Sequence, residues 1–246
     1  MIIKMEKAFL LILIIIQNFV IFSQNYPKPD FFALATIDSI YDGNMRTEEF
    51  KQQKKLLLIS DKNNLEIRGF KVLLNVGGFR EELLSINEYF TDEMLQFFSN
   101  YKGVNVLFTE ILAVLDNKDT FSLNNIYLRV DTSTTTRKII PKKVFNPVFA
   151  NINSCSISRL TVFSNLCIEP DLISKDLKIV HFELTSLTWD GFYGFYTSKN
   201  ELITNQQKLL ISQWKNGQYF FFYQIKATTI ENDTILLTPI VFTLTD

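Results

Sequence analysis

Apolar and polar residues alternate along two separate stretches of the chain, and each stretch leads into a turn that contains glycine. Apolar residues take every second position in residues 70–74, and they do so again from residue 182 to residue 184. A period of two residues is typical of a β-strand with one buried face. The pairs Gly77-Gly78 and Asp190-Gly191 follow each stretch, and such pairs suit the positive φ of a tight hairpin turn. We therefore predict two hairpins, whose second strands cover residues 79–86 and 192–197.

A helical pattern follows each predicted hairpin. Thr91 and Thr204 are suitable N-caps, and Thr204 with Gln207 has the spacing of a capping box. Gly103 and Gly217 stand where a helix commonly ends in a left-handed residue. The predicted apolar faces are Met94, Phe97, Phe98 and Tyr101 in the first helix, and Leu210, Ile211 and Trp214 in the second.

The chain repeats itself. FTEILAVLDNKDT begins at Phe108 and FYQIKATTIENDT at Phe222, so the offset is 222 − 108 = 114 residues, and it stays between 112 and 114 over the rest of the match. We expect two copies of one unit, residues 27–130 and 145–246, joined by a polar linker at 131–144. Each copy should hold six to eight short strands and one helix. The predicted fold is mostly β, with two tandem β-sandwich-like domains that each carry one short helix and touch mainly end to end.

The N-terminus has the pattern of a secretory signal peptide. Lys4 and Lys7 precede an apolar run over residues 8–23, which is shorter than the roughly 20 residues of a membrane-spanning helix. We expect residues 1–23 to be a signal peptide that is cleaved near Ser23 or Gln24, which would make the protein periplasmic or secreted. An uncleaved anchor in the inner membrane is the alternative.

Composition argues against several functions. The chain has 25 basic and 26 acidic residues and a formal charge of −1, whereas nucleic-acid binding needs a basic surface. The densest basic cluster, TRKIIPKKVF, is read as a solvated connector. The single histidine, His181, has no partner residue for metal binding or a catalytic triad, and the acids near two turns are read as turn formers: Asp116, Asp119, Glu231 and Asp233. We predict no enzyme activity, metal, cofactor or small-molecule substrate.

Two cysteines and one aromatic segment are the candidate special sites. In an oxidising compartment Cys155 and Cys167 could form a disulfide, although two buried thiols are equally compatible with their spacing. The aromatic segment lies around the second hairpin turn, and its residues cannot all face inward because successive strand residues point to opposite sides. One interpretation is an exposed aromatic ridge that binds a protein or a sugar. The other is that the segment packs against the linker or the first copy. The segment contains Trp189, Phe192, Tyr193, Phe195 and Tyr196.

The two copies resemble the C-terminal periplasmic domains of the gliding-motility protein GldM. The resemblance covers nearly all of the predicted mature chain and rests on SINEYFTDEM, YKGVNVLFTEILAV and NNIYLRV in the first copy, and on SKNELITNQQ, KNGQYFFFYQIKAT and TPIVFTL in the second. It implies an exported envelope protein of a Bacteroidota species, connected with type IX secretion or gliding, that binds a protein partner in the envelope. The resemblance is also compatible with a homodimer, because the family's periplasmic domains are dimeric. The resemblance transfers a binding or scaffolding role and no catalytic residue. The alternative function is a secreted adhesin or carbohydrate-binding module.

Overall fold

The computed structural model of the chain describes most of the two predicted copies. The described residues are 26–76, 79–100, 105–131, 135–136, 147–149, 154–158, 168–170, 177–188 and 191–245. The predicted signal peptide, Gly77-Gly78, Tyr101, Gly103, Cys167, Trp189, Asp190 and residues 137–145 of the basic cluster lie outside these residues, and the side chain of Cys155 does as well.

Strands dominate both halves of the chain. The first half contains β1 (Ala33–Thr36), β2 (Asp42–Arg46), α1 (Thr47–Gln52), β3 (Leu57–Ser60), β4 (Leu65–Val76), β5 (Phe79–Ser85), α2 (Asp92–Asn100), β6 (Asn105–Leu115), β7 (Asp119–Ser122) and β8 (Ile126–Asp131). The second half contains β9 (Pro147–Phe149), β10 (Ser154–Ser158), β11 (Ile168–Pro170), β12 (Lys178–Thr188), β13 (Gly191–Ser198), α3 (Asn205–Ser212), β14 (Tyr219–Thr228), β15 (Thr234–Leu236) and β16 (Ile240–Thr245).

Both halves build the same sheet. The first sheet has the order β2-β8-β6-β4-β5, with β7 also paired to β6, and the second has the order β10-β16-β14-β12-β13, with β15 also paired to β14. In each sheet one edge strand runs parallel to its neighbour, as β2 does to β8 and β10 to β16, while the other pairs are antiparallel. The small pairs β1-β3 and β9-β11 correspond as well. The internal repeat is therefore a repeat of topology, and we call the halves β1–β8 and β9–β16 the first and second copy.

Each sheet has two buried faces. Alternate residues of the central strands, such as Phe70 and Phe108, face a core that is closed by α1, α2 and the β1-β3 pair in the first copy. The intervening residues, such as Leu73 and Leu107, belong to a different cluster that joins the two copies. The copies therefore pack sheet against sheet, and the expectation that they touch mainly end to end was wrong. Strong alternation identified the strands, but it could not show that both faces are covered.

The predicted hairpins and N-caps are confirmed. β4 pairs with β5 and β12 pairs with β13, both antiparallel. The hydroxyl of Thr91 accepts a hydrogen bond from the backbone N–H of Met94, and Thr204 and Gln207 form both bonds of the capping box. The first copy also has the short helix α1, which the sequence pattern did not indicate. Helix α3 ends at Ser212, so Gly217 does not terminate it, although Gly217 does have a left-handed φ of 76°.

One loop is built identically in both copies. In the first copy the hydroxyl of Ser85 donates to the carbonyl oxygen of Tyr89 at 2.6 Å, and the side-chain oxygen of Asn87 accepts from the backbone N–H of Tyr89 at 2.9 Å. In the second copy the matching bonds join Ser198, Asn200 and Leu202, at 2.7 and 2.9 Å. The shared Ser-x-Asn motif thus fixes the loop that leads from the hairpin to the helix.

Candidate functional site

The two sheets meet in one apolar cluster, which we call the inter-copy cluster. Tyr127 is at its centre, with its ring centroid 4.5 Å from that of Tyr223 and 5.2 Å from that of Phe221. These side chains are almost fully buried, so the interface excludes water as a domain core does. The buried members are Leu73, Leu107, Tyr127, Leu187, Phe221, Tyr223 and Val241, and Phe192 and Tyr219 pack against them partly buried.

Polar contacts surround this cluster. The guanidinium group of Arg80 donates to the carbonyl oxygen of Gly217 at 3.2 Å and lies 5.0 Å from the ring centroid of Tyr219. The hydroxyl of Tyr41 donates to the carbonyl oxygen of Leu236 at 2.9 Å. Since each bond joins one copy to the other, the two sheets are held in a fixed relative position.

A polar cavity of about 160 Å³ opens beside the inter-copy cluster, between the two sheets. Its walls come from both copies: β2 and β8 supply one side, and β12 and β14 supply the other. The lining residues are Asp42, Gly43, Asn44, Tyr127, Arg129, Thr136, Glu183, Tyr223 and Gln224.

Asp42 is the buried acid of the polar cavity. Its carboxylate accepts two hydrogen bonds from Gln224 of the other copy, one from the backbone N–H and one, at 3.0 Å, from the side-chain amide. A β-bulge at Gln224, where φ is 49°, turns the backbone N–H toward Asp42. Burial raises the pKa of the Asp42 carboxyl to about 7, although the two bonds from Gln224 oppose the rise. The bulge at Gln224 therefore places a hydrogen bond between the two copies on the Asp42 carboxyl, a group that titrates.

Two tyrosine hydroxyls are buried at the same cavity. Tyr127 and Tyr223 are each about 1% exposed, and neither hydroxyl makes a hydrogen bond of normal geometry. Arg129 stands next to the hydroxyl of Tyr127, and Glu183 stands next to that of Tyr223. Burial raises the pKa of both hydroxyls above the ordinary range, so both carry their protons at neutral pH. The cavity thus combines a guanidinium, a carboxylate and two protonated phenols.

A bulge in β13 connects the cavity to an exposed aromatic ring. Leu184 pairs with Tyr196 and Ser186 pairs with Tyr193, so two residues of β13 oppose one of β12. Gly194 takes a positive φ of 67° within this bulge, and the following residue, Phe195, remains 47% exposed. The guanidinium carbon of Arg129 lies 5.6 Å from the centroid of the Phe195 ring, a cation–π distance that keeps Arg129 beside the cavity.

In the first copy, the residues equivalent to Glu183 and Gln224 form an ion pair. Glu183 corresponds to Lys71, since 183 − 71 = 112, and Gln224 corresponds to Glu110, since 224 − 110 = 114. Lys71 and Glu110 form an ion pair with an Nζ–Oε1 distance of 2.6 Å. The β-bulge is retained, because Glu110 has a φ of 50°. The cavity therefore coincides with a place where the two copies share a backbone and differ in side chains.

The predicted aromatic ridge is divided among different surroundings. Phe192 packs, partly buried, on the inter-copy cluster, which agrees with the interpretation that the segment contacts the first copy. Tyr196 packs against the core of the second copy, and Phe195 is exposed. The side chain of Tyr193, like Trp189, lies outside the described residues. Phe192, Phe195 and Tyr196 therefore do not share one exposed ridge.

The other candidate residues have ordinary surroundings. The imidazole of His181 is on β12, with Nε2 3.8 Å from a carboxylate oxygen of Glu183. Asp116 takes a positive φ at the β6–β7 turn and accepts a hydrogen bond from Asn64 at 2.8 Å. In the described part of the chain no three of the His, Cys, Asp and Glu residues are grouped as metal ligands would be. The disulfide between Cys155 and Cys167 stays a prediction.

Sequence reasoning missed the residues that line the polar cavity. Asp42, Tyr127 and Arg129 lie in strands of the first copy, while Glu183, Tyr223 and Gln224 lie in strands of the second. No local motif links residues so far apart in the chain. A position-by-position comparison of the copies would have marked part of the site, because Lys71, Thr109 and Glu110 are replaced by Glu183, Tyr223 and Gln224.

Comparisons with known proteins do not assign a family. No known protein family and no curated protein matches the chain. Among solved structures, the chain is similar to the fibronectin(III)-like modules of CbhA from Clostridium thermocellum, at 10% identity over 86% of this chain and 93% of that chain. The TM-score is 0.18, so this similarity carries no argument. Within the described residues, no helix has the length and apolar character needed to cross a bilayer.

Proposed function

We propose that the protein is a non-enzymatic interaction or scaffold module, exported to the cell envelope of a Bacteroidota bacterium. The sequence resemblance to the periplasmic domains of GldM supports this function, which connects the protein with type IX secretion or gliding motility. The residues that carry the resemblance have structural roles in both copies. Ser85 and Ser198 hold equivalent loops, and Thr91 and Thr204 cap equivalent helices.

The observation that carries the proposal is a pair of equivalent apolar side chains displayed on rigid loops. Tyr89 and Leu202 are 202 − 89 = 113 positions apart, and each is 50% exposed. The backbone N–H and carbonyl oxygen of each residue are bonded to the Asn and Ser of its own loop. A side chain on a fixed backbone loses little further backbone entropy when it binds, so it is well suited to anchor a protein partner.

The proposal is tested by capturing partners from envelope extracts. The purified protein is immobilised, and retained proteins are compared between the wild type and the double variant Tyr89→Ser/Leu202→Ser. Ile230→Ser is the matched control, because Ile230 is 77% exposed and lies elsewhere, in the turn between β14 and β15.

We expect an envelope protein that the wild type and the control retain and the double variant loses. Secretion or motility components among the retained proteins would support the specific connection with type IX secretion. Retention that is the same for all three proteins, or no retention above that of a blank support, would contradict the proposed role.

A further inference from the structure

The two sheets differ at the edge strand that completes each predicted hairpin. In the described part of the chain, β5 pairs with β4 alone and β13 pairs with β12 alone. β5 keeps one continuous register over residues 79–85, whereas the register of β13 is interrupted by the bulge at Gly194. A regular edge is a good template for a further strand, and a bulged edge is a poor one. β5 is therefore the edge at which another extended chain can pair.

The opposite edge of the first sheet is already used by the chain itself. β2 is the edge strand there, and the backbone N–H of Asn44 donates to the hydroxyl of Thr136 at 2.6 Å. The backbone N–H of Thr136 donates in turn to the carbonyl oxygen of Asn44 at 2.8 Å, and the hydroxyl of Thr135 accepts from the backbone N–H of Arg46 at 3.2 Å. The fold thus covers the β2 edge with its own residues and, within the described ranges, places no strand on the outer side of β5.

The side chains of β5 indicate the chemistry of the chain that pairs with it. Phe79, at the start of the strand, is 70% exposed, and Ile86, directly after its end, is 60% exposed. Two acids, Glu81 and Glu82, lie between them, and Glu82 forms an ion pair with Arg80 at 2.9 Å. Because opposite charges on neighbouring strands stabilise a sheet, Glu81 favours a basic residue in the added chain. The two exposed apolar side chains favour apolar residues at its ends.

The same acids disfavour pairing between the β5 strands of two molecules. Antiparallel pairing about the middle of β5 places Glu82 of one molecule opposite Glu82 of the other, and parallel pairing in register brings Glu81 beside Glu81 as well. Like charges opposite each other destabilise a sheet. A basic segment of another protein meets no such repulsion, so it fits this edge better than a second molecule of this chain does.

We propose that the edge of β5 binds an extended, basic segment of a partner protein by adding it to the first sheet as a further strand. Main-chain hydrogen bonds supply the affinity, and Phe79, Glu81 and Ile86 select the side chains of the partner. The site uses backbone groups of β5 and differs from the pair Tyr89 and Leu202. Its test and the capture experiment above can therefore fail separately.

The test selects binders for the purified protein from a display library of random peptides and titrates the selected peptides by calorimetry. Each peptide is also made in two forms with N-methyl groups on alternate residues, which remove the N–H donors of one edge or the other and keep the side chains. Glu81→Lys and Phe79→Ser alter the proposed site. Glu93→Lys is the matched control, because Glu93 is exposed on α2.

We expect selected peptides that carry Lys or Arg between apolar residues. Only one of the two methylated forms should lose binding, since only one edge of an added strand faces β5. Glu81→Lys should weaken binding by roughly threefold to tenfold, Phe79→Ser should also weaken it, and Glu93→Lys should leave it unchanged. Peptide binding should slow amide hydrogen exchange in β5 and leave that of β13 unaltered.

Several results would overturn the proposal. These are a library without a saturable binder, selected peptides without basic residues, a binder that tolerates methylation of both edges, and an affinity that Glu81→Lys and Phe79→Ser leave unaltered. A further one is protection of the β5 amides in the peptide-free protein that increases with protein concentration, because a second molecule of the chain would then occupy the edge.

Discussion

The side-chain amide of Asn125 donates a hydrogen bond of 3.1 Å to the backbone carbonyl oxygen of Pro239. The two residues are 239 − 125 = 114 positions apart, which is the offset of the repeat, so Asn125 and Pro239 occupy equivalent positions in the two copies. Contact between equivalent positions is expected close to the axis of a twofold arrangement. The inter-copy cluster fits this arrangement, because it contains the equivalent pair Leu107 and Phe221. We infer that the two sheets are related by an approximate twofold axis near this bond.

Replacing Asn125 with Ala should destabilise the protein. The side chain is buried, and its oxygen also accepts from the hydroxyl of Thr109 at 2.9 Å, so the substitution leaves polar groups of both copies without a partner. The expected loss in the free energy of unfolding is about 1–3 kcal/mol, measured by urea denaturation. A loss smaller than roughly 0.5 kcal/mol, the range of ordinary surface substitutions, would show that the bond contributes little.

The two copies should unfold together. Leu107 of the first copy is buried against the second, so Leu107→Ala should cost about 2–5 kcal/mol. Both tryptophans, Trp189 and Trp214, belong to the second copy, and their fluorescence therefore reports on that copy alone. We expect Leu107→Ala to lower the urea midpoint seen by tryptophan fluorescence and by far-UV circular dichroism equally.

Ile230→Ala is the control for this experiment. Its side chain is 77% exposed, and the substitution should change stability by no more than roughly 0.5 kcal/mol. A fluorescence midpoint that stays at the wild-type value in Leu107→Ala would mean that the copies unfold independently.

Asp42 should make stability fall as the pH rises. Burial raises the pKa of this carboxyl from 3.8 to about 7 in the folded protein, with Glu183 reinforcing the rise and Lys226 opposing it. Between these values the folded state keeps a proton that the unfolded state releases. The stabilisation by this group is therefore complete below pH 3.8 and is lost as the pH rises toward 7.

The variant Asp42→Asn isolates this effect, because it keeps an acceptor oxygen for Gln224 and removes the titration. Urea unfolding at pH 5 and at pH 8 should show the variant gaining stability relative to the wild type as the pH rises. The gain can reach about 1.4 kcal/mol for each pH unit below the folded-state pKa. Equal stability differences at the two pH values would indicate that Asp42 titrates normally.

Gly194 should tolerate alanine less well than Gly217 does. Both glycines have a positive φ, but a Cβ at Gly194 would lie 2.7 Å from the Tyr196 ring and 2.8 Å from Leu210, whereas nothing lies within 4 Å of one at Gly217. Gly217→Ala should cost about 1 kcal/mol from the backbone alone, and Gly194→Ala should cost more, up to about 3 kcal/mol. Thermal or urea unfolding measures both. Equal losses would mean that the bulge in β13 relaxes without cost.

Ser85→Ala and Ser198→Ala should have matching effects. Each hydroxyl donates to a loop carbonyl at 2.6 or 2.7 Å and also accepts from the backbone of the neighbouring asparagine. We expect each substitution to cost about 1–3 kcal/mol, because a partly buried network is broken. Urea denaturation measures the stability of both variants. A loss of stability in only one of them would argue against a shared structural role for the two serines.

Local chemistry explains which parts of the fold were predictable from sequence. The hairpin strands around residues 70 and 182 follow from alternation, and the start of α3 follows from Thr204 and Gln207, because these signals depend on neighbours in the chain. Helix α1 was missed because residues 47–52 form a single short helix whose N-cap, Arg46, makes no side-chain capping bond.

The polar cavity could not be predicted from the same signals. Asp42 meets Gln224 only because two sheets pack face to face, and their contact spans 182 residues of chain. Alternation marks a face as apolar or polar, but Arg129 and Glu183 are compatible with an exposed face as well as with the wall of a cavity. The β-bulges at Glu110 and Gln224, which redirect the backbone at this place, have no glycine to indicate them.

The duplication within one polypeptide has a consequence for how the interface can evolve. In a dimer of two identical subunits, every substitution would occur on both sides of the twofold axis. A cavity near one edge of the interface would therefore always be accompanied by an identical cavity at the symmetry-related position. Here the Lys71–Glu110 ion pair occupies one of the two equivalent places, while Glu183 and Gln224 border an opening at the other. Covalent linkage also makes assembly of the interface independent of protein concentration. Two copies in one chain can thus keep one half of their interface as a stabilising contact while the residues of the other half change.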